Sequence, residues 1–127
     1  MSLRRAELRS HPVKLIYAII RPTKFEAVRE ALEGIGVERL TVFDAHGFGR
    51  QKGHTETYRG MEYSLNLLRK VVLEIVVNDD FVDRTVELIE QLARTGGEGN
   101  IGDGKIFQVP VEEAIRIEDG LRGKEAV

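Results

Sequence analysis

The chain has 127 residues, 42% of them apolar, and a formal net charge of −2 from 19 Lys and Arg against 21 Asp and Glu. That size and apolar content suit one compact domain with a real core, and the near balance of charge gives no sign of a nonspecific nucleic-acid binder or a polybasic membrane tether and disfavours nucleic acid. The absence of cysteine excludes a disulfide framework and thiol chemistry; with neither a signal-peptide core nor an apolar run long enough to cross a bilayer, the chain is expected in the cytosol.

Residues 1–12 have too little apolar content to need a place in the fold and read as a frayed tail, which leaves 13–127 as a single domain. Residues 14–20 (KLIYAII) are short, apolar and rich in β-formers, and Arg21-Pro22 ends that strand because proline cannot donate a ladder hydrogen bond. Thr23 is placed to cap a helix whose Phe25, Val28, Ala31, Leu32 and Ile35 recur at helical spacing, with Glu26 near its positive end and Gly36 as its stop. Residues 39–45 read as a second strand, with Leu40, Val42 and Phe43 as its apolar positions.

The stretch 47–77 changes character midway. Its first part holds Gly47, Gly49, Gly53 and Gly60 with Arg50, Lys52, Arg59, Tyr58 and Tyr63, a composition that buries too little apolar surface to order itself cheaply. It reads as a long, mobile, exposed loop, and loops of that length are usually functional. Its second part, 71–77 (VVLEIVV), is a buried strand bounded by Arg69-Lys70 and Asn78-Asp79-Asp80. Those three polar residues supply an N-cap and an acidic first turn for a helix with Val82, Val86, Ile89 and Ala93 on one stripe, ending at Thr95-Gly96. Residues 97–100 read as a turn, 105–109 (KIFQV) as a strand closed by Pro110, 111–115 as a helical turn, 115–117 as a short edge strand and 120–127 as a polar tail. The order β-α-β-β-α-β is the split βαβ pattern of an α+β fold.

Residues 99–105 (GNIGDGK) have P-loop spacing, but Ile106 replaces the Ser or Thr that would hold magnesium, and a strand follows where a P-loop opens a helix. This is not the loop of a nucleotide hydrolase. Glycines exposing backbone N–H groups beside Lys105 favour an anion such as phosphate, and an ordinary hairpin turn fits the same residues. Gly47-Phe48-Gly49 is too short a match for a dinucleotide fingerprint. Lys70 alone is a solvated residue at a strand start. His11, His46 and His54 lack partners at zinc-ligand spacing, Asp79 and Asp80 are caps, and no nucleophile–base–orienter set appears, which argues against a dedicated enzyme.

GFGRQKGHTE at 47–56, YRGMEY at 58–63, and then TG at 95–96 and IGDGKIF at 101–107 stand in an order that closely resembles the PII nitrogen-signalling proteins, over residues 14–127. The resemblance implies a ferredoxin-like fold with a long loop between strands 2 and 3, a homotrimer, and clefts between subunits that bind ATP or ADP together with 2-oxoglutarate. On that likeness Gly102, Asp103, Gly104 and Lys105 match the triphosphate-binding loop, Arg116 a phosphate contact, and Thr41 and Glu74 positions around the adenosine. Gly49, Arg50 and Gln51 match the loop base that touches the phosphates, with Gln51 on the magnesium that also holds 2-oxoglutarate. Lys52 and Lys70 fall to the 2-oxoglutarate site, Lys70 on its carboxylate. Tyr63 matches the tyrosine that a nucleotidyltransferase modifies, and Met61 stands where some relatives carry a phosphorylated serine. The implied function is a sensor that presents residues 49–70 to an ammonium channel or transporter and to nitrogen-metabolism enzymes, without nucleic acid and without insertion into a membrane.

The chain departs from its relatives where their Arg-Ile-Arg run reads Arg116-Ile117-Glu118, and 97–100 is a few residues longer than the usual spacing. If Glu118 points into the cleft it repels a triphosphate, so that ATP binds more weakly and ADP or AMP is better tolerated. If it turns to solvent it pairs with a nearby cation for about 0–1 kcal/mol. Two rival readings are a divergent protein-binding scaffold with weakened nucleotide binding, and a slow ATPase at the Lys105 loop.

Overall fold

A computed structural model describes residues 12–48 and 67–127, with 56–58 and 61–63 described as backbone. The elements run β1 (Val13–Ile20), α1 (Phe25–Gly34), β2 (Thr41–Phe48), β3 (Glu56–Tyr58), β4 (Met61–Tyr63), β5 (Leu67–Asn78), α2 (Asp79–Ala93) and β6 (Gly104–Pro110). Strands β2-β5-β1-β6 form one four-stranded sheet in that order, every neighbouring pair antiparallel. β3 and β4 form a separate two-stranded ladder, with Glu56 opposite Tyr63. With that ladder taken as an insertion between strands 2 and 3, the order is the expected α+β, ferredoxin-like βαββαβ.

The sheet sorts its residues by the two-residue period of a strand. Ile16, Ala18 and Ile20 of β1, with Leu73 and Ile75 of β5, are at most 1% exposed and face the helices. α1 answers with Val28 and Leu32, α2 with Val82, Ile89 and Ala93, and together they make one core. Each fully buried aliphatic side chain contributes about 1.5–3 kcal/mol. Thr85 is fully buried among them, its hydroxyl without a hydrogen-bond partner among the described residues. At the far end of the sheet Lys14 is 3% exposed and its Nζ lies 2.5 Å from Asp79 Oδ1, which keeps a buried cation neutralised at the first turn of α2.

The opposite face is a different surface. Register sets Thr41 beside Glu74, Glu74 beside Tyr17, and Tyr17 beside Phe107, a row across all four strands. Phe43, Val76, Phe107 and Val109 share this face and are 37–47% exposed. Neither helix covers it.

Several boundaries differ from the sequence expectation. Thr23 does not cap α1: Pro22 starts a single 3₁₀ turn, Pro22–Lys24, whose fixed φ leads straight into the helix, and no side chain caps either turn. Gly36 does end the helix, with φ +89 and its N–H on Glu33 O. Asn78 precedes α2 in extended conformation but its side chain makes no cap; its Oδ1 is buried without a partner among the described residues, and the N–H of Asp79 is taken instead by Pro12 O at 2.9 Å. Pro12 is therefore tied to the fold, while 1–11 lie outside the described residues. β2 starts at Thr41 rather than at 39 and continues to Phe48, and β5 starts at Leu67 rather than at 71, because the two pair without a break out to Phe48 and Leu67. Of the loop expected over 47–69, residues 47, 48 and 67–69 are thus strand, 56–58 and 61–63 form the small ladder, and the remainder lies outside the described residues.

The C-terminal appendage is also more ordered than a polar tail. Residues 111–115 form no helical turn, and the edge strand expected at 115–117 reduces to one bridge between Ile115 and Arg122. Between them the chain folds back through Arg116 N on Leu121 O (2.9 Å) and Gly120 N on Arg116 O (2.8 Å), and ends in a 3₁₀ turn at Gly123–Ala126.

Candidate functional site

The register itself assembles a charged cluster at one end of the sheet. Ile20 stands opposite Val71 on one side and Gly104 on the other. One residue further along each strand brings Arg21 to Lys70 and Asp103, although 82 residues separate Arg21 from Asp103 in sequence.

Asp103 organises the connection from α2 to β6. Its carboxylate accepts from Thr95 N (3.0 Å), Thr95 Oγ1 (2.8 Å), Asn100 N (2.8 Å) and Arg21 Nε (3.0 Å), and Asn100 Nδ2 closes the ring on Thr95 Oγ1 at 2.7 Å. The backbone N–H groups of Thr95 and Asn100, followed by the Thr95 hydroxyl and Arg21, hold its pKa far below the usual carboxylate range. Four donors leave this carboxylate no free lone pair of good geometry, so it shapes the turn and does not reach out to a ligand. Two glycines complete the turn: Gly102 has φ +96, and at Gly104, with φ +124, a Cβ would stand 1.8 Å from Ile19 O. Only glycine lets β6 start this close to β1.

Two cations flank Gly102. Arg21 Nη2 donates to Ile101 O at 3.0 Å and Lys70 Nζ donates to Gly102 O. A Cβ added at Gly102 would lie 3.2 Å from Arg21 Nη2 and 3.8 Å from Lys70 Nζ, so both cationic heads crowd the same small space. Burial, reinforced by the like charge of Arg21 and opposed by Asp103, pushes the Lys70 pKa down. With Asp103 already saturated, the pair is a concentration of positive charge held, among the described residues, only by the Ile101 and Gly102 carbonyls and Asp103, chemistry that suits a small carboxylate or phosphate.

A second group lies in an open cleft of about 950 Å³ that includes Thr41, Glu74, Val76, Arg116, Ala126 and Val127 in its walls. Thr41 and Glu74 are directly opposed in the β2–β5 ladder. Arg116 is held by its own turn, its Nε 3.1 and 3.0 Å from the two Asp119 oxygens and its Nη2 2.6 Å from Oδ2. This pairing raises the Arg116 pKa and lowers that of Asp119. Glu118 does not point into the cleft: it is 77% exposed, with Oε1 3.5 Å from Arg116 Nε, which is the solvent-facing alternative.

Lys105 stands elsewhere. It pairs with Ile19 at the start of β6 and lines a separate cavity of about 690 Å³ with Asp103, Gly104, Arg94 and Glu98. β2 and β6 are opposite edges of the sheet, about 14 Å apart at the usual strand spacing. Within one chain, then, Lys105 and the Thr41–Glu74–Arg116 group do not meet. Gly49, Arg50, Gln51 and Lys52 lie outside the described residues; Tyr63 is in β4, opposite Glu56, and its side chain is outside them too. Among the described residues no group of three or more His, Asp or Glu could hold a metal ion. Sequence reasoning missed Arg21, Thr95, Asn100 and Asp119. Arg21 alone left a signal, as a cation set by proline at the end of an apolar strand.

Residues 13–121 match the family model described as nitrogen regulatory protein P-II. Among curated proteins, the nitrogen regulatory proteins P-II of Azospirillum brasilense and Rhodospirillum rubrum are 52% and 54% identical over 115 residues, 91% of this chain and the whole of each relative. Among solved structures, Arabidopsis thaliana PII bound to citrate aligns with a TM-score of 0.71 at 36% identity, covering 91% of this chain and 90% of that one.

Asp103 carries a pH signature. Its pKa is depressed on folding, so the stability it contributes is present above the unfolded-state value and is lost as the pH falls toward the folded one. Asp103→Asn should lower the thermal midpoint at neutral pH, and the gap to wild type should begin to close only below about pH 4. Equal midpoints at pH 7 would show that the Thr95–Asn100–Asp103–Arg21 ring holds nothing together.

Proposed function

Because the chain belongs to the P-II nitrogen regulatory family, whose members are regulators and not enzymes, we propose that it is a homotrimeric signal transducer. It binds ATP or ADP together with 2-oxoglutarate and regulates partner proteins through residues 49–70. The observation that carries this reading is the convergence of Arg21 and Lys70 on Gly102, at the point where β5 emerges from that segment.

A dicarboxylate such as 2-oxoglutarate suits two cations whose nearest carboxylate is already saturated. To take it, Lys70 exchanges the Gly102 carbonyl for a charged partner, and the segment leading into β5 is biased at its root. A ligand shifts that segment only by its difference in affinity for the two arrangements. The turn at 102–105 offers backbone N–H groups and Lys105 to phosphates. Thr41 and Glu74 offer hydrogen bonds to an adenosine, and Arg116 a cation to its phosphates. Since Lys105 sits at the opposite sheet edge from Thr41, a second copy packed on the exposed apolar face supplies the missing half, which is the support for a trimer with intersubunit clefts. Gln51 would hold magnesium, which would supply charge neutralisation to the phosphates, and Lys52 would stand with the keto acid.

The partners of residues 49–70 in this proposal are an ammonium transporter, nitrogen-metabolism enzymes, and a nucleotidyltransferase acting on Tyr63. One observation favours a variant of the reading, in which ADP or AMP is preferred over ATP: Arg116 is already occupied by Asp119.

Calorimetric titration with 2-oxoglutarate in the presence of magnesium and ATP should give saturable binding, weakened at least about tenfold in Lys70→Ala, as expected for one lost charge-assisted contact. No heat with wild type, or unchanged affinity in the variant, contradicts the assignment. For Tyr63, intact-mass analysis after incubation with the cognate nucleotidyltransferase should show one adduct per subunit that Tyr63→Phe lacks; an unmodified wild type removes that part of the proposal.

A further inference from the structure

The turn that carries Arg116 contains its own competitor. Asp119 grips the guanidinium through both oxygens, at 3.1, 3.0 and 2.6 Å, in the side-on bidentate geometry, through Nε and Nη2, by which arginine binds a carboxylate or a phosphate. The grip is built in: Leu121 N donates to Asp119 Oδ1 at 3.1 Å, Gly120 turns the chain with φ +73, and the Ile115–Arg122 bridge closes the loop behind it. Arg116 is 28% exposed and Asp119 37%, so the pair is screened less than a free surface pair. Arg116 lines the cleft, with Asp119 directly on its guanidinium, while Glu118 lies beside it toward solvent.

From this geometry we infer that Asp119 is a specificity-determining residue, an internal carboxylate that occupies the phosphate-binding guanidinium of Arg116 and sets the cleft against nucleotides in proportion to their charge. The inference rests on the nucleotide reading above. A ligand must displace Asp119 to reach Arg116, and the freed carboxylate then stands close to the incoming phosphates. The resulting cost is small for a monophosphate and grows with each added phosphate charge. ATP is therefore penalised relative to AMP by the chain's own turn.

Asp119→Asn keeps an acceptor for Leu121 N and removes the charge. Calorimetric titration of wild type and variant with AMP, ADP and ATP should show ATP tightened by about five- to tenfold, ADP by less and AMP by under about twofold, the gain shrinking as salt is raised. The gain should vanish in an Arg116→Gln background, where there is no guanidinium to free. Unchanged affinities in Asp119→Asn, or an equal gain for all three nucleotides, overturn the inference and leave the nucleotide reading standing. Failure of both proteins to bind any adenine nucleotide removes that reading and this inference with it. Should the variant not fold, the Arg116 Nε–H resonance of the wild type, assigned with Arg116→Lys, decides: it should move on addition of ATP as Asp119 is displaced, and a resonance unmoved at saturating ATP overturns the inference.

Discussion

Two helices can cover only one face of a four-stranded sheet, and most of what this chain does follows from that limit. The covered face, with Ile16, Leu73, Leu32 and Ile89 fully buried, fixes β1 and β5 as the centre of the sheet and sets their register. A slip of one residue would turn the buried strand side chains, Ile16 and Leu73 among them, to the uncovered face, so the register is strongly held. Held that way, the ends of three strands bring Arg21, Lys70 and Asp103 together without any local sequence signal to do so. The uncovered face leaves Phe43, Phe107 and Val109 as an apolar surface with no helix over it. The same sheet thus generates a charged cluster at its end and an exposed apolar surface on its side, where the proposed second copy would pack.

The two carboxylates of the site are used in opposite ways. Asp103 spends all of its acceptor capacity on its own turn and on Arg21, so that on the proposed reading Lys70 and the glycine N–H groups are what meets a ligand. Removing it loosens the scaffold. Asp119 spends its capacity on Arg116, a group that lines a cleft, and on the inference above it competes there with a ligand for that cation. A carboxylate can stabilise a binding loop or compete with what the loop binds, and which of these it does depends on whether its partner is a backbone N–H or a ligand-facing guanidinium.

The fold was largely legible in the sequence because periodicity reports burial. KLIYAII, VVLEIVV and the helical stripes were each placed by the face they hide. The errors fell where local chemistry had two outlets. Thr23 and Asn78 are good caps in isolation, but a proline-led 3₁₀ turn and the Pro12 carbonyl took over those roles. β5 begins four residues before the apolar run because pairing with β2 stabilises Leu67, Leu68, Arg69 and Lys70 as strand whatever their exposure. Of the site, the glycine turn and Lys70 could be picked out by resemblance, whereas Arg21, Thr95 and Asn100 could not, since their role arises from contacts to Asp103 that only the folded register creates. Glu118 was singled out as the anion that changes the site; its neighbour Asp119 makes the closer contact, because the reversal at Gly120 turns position 119 back toward Arg116.

The central claim is that a binding cleft is divided between copies, Thr41 and Glu74 coming from one chain and Lys105 from the next. Subunit mixing tests it directly. Glu74→Ala and Lys105→Ala should each abolish nucleotide binding, and after the two are unfolded together and reassembled, about one site in four should recover it, since that fraction joins two intact halves. No recovery on mixing, or full nucleotide binding by an isolated monomer, would contradict the account.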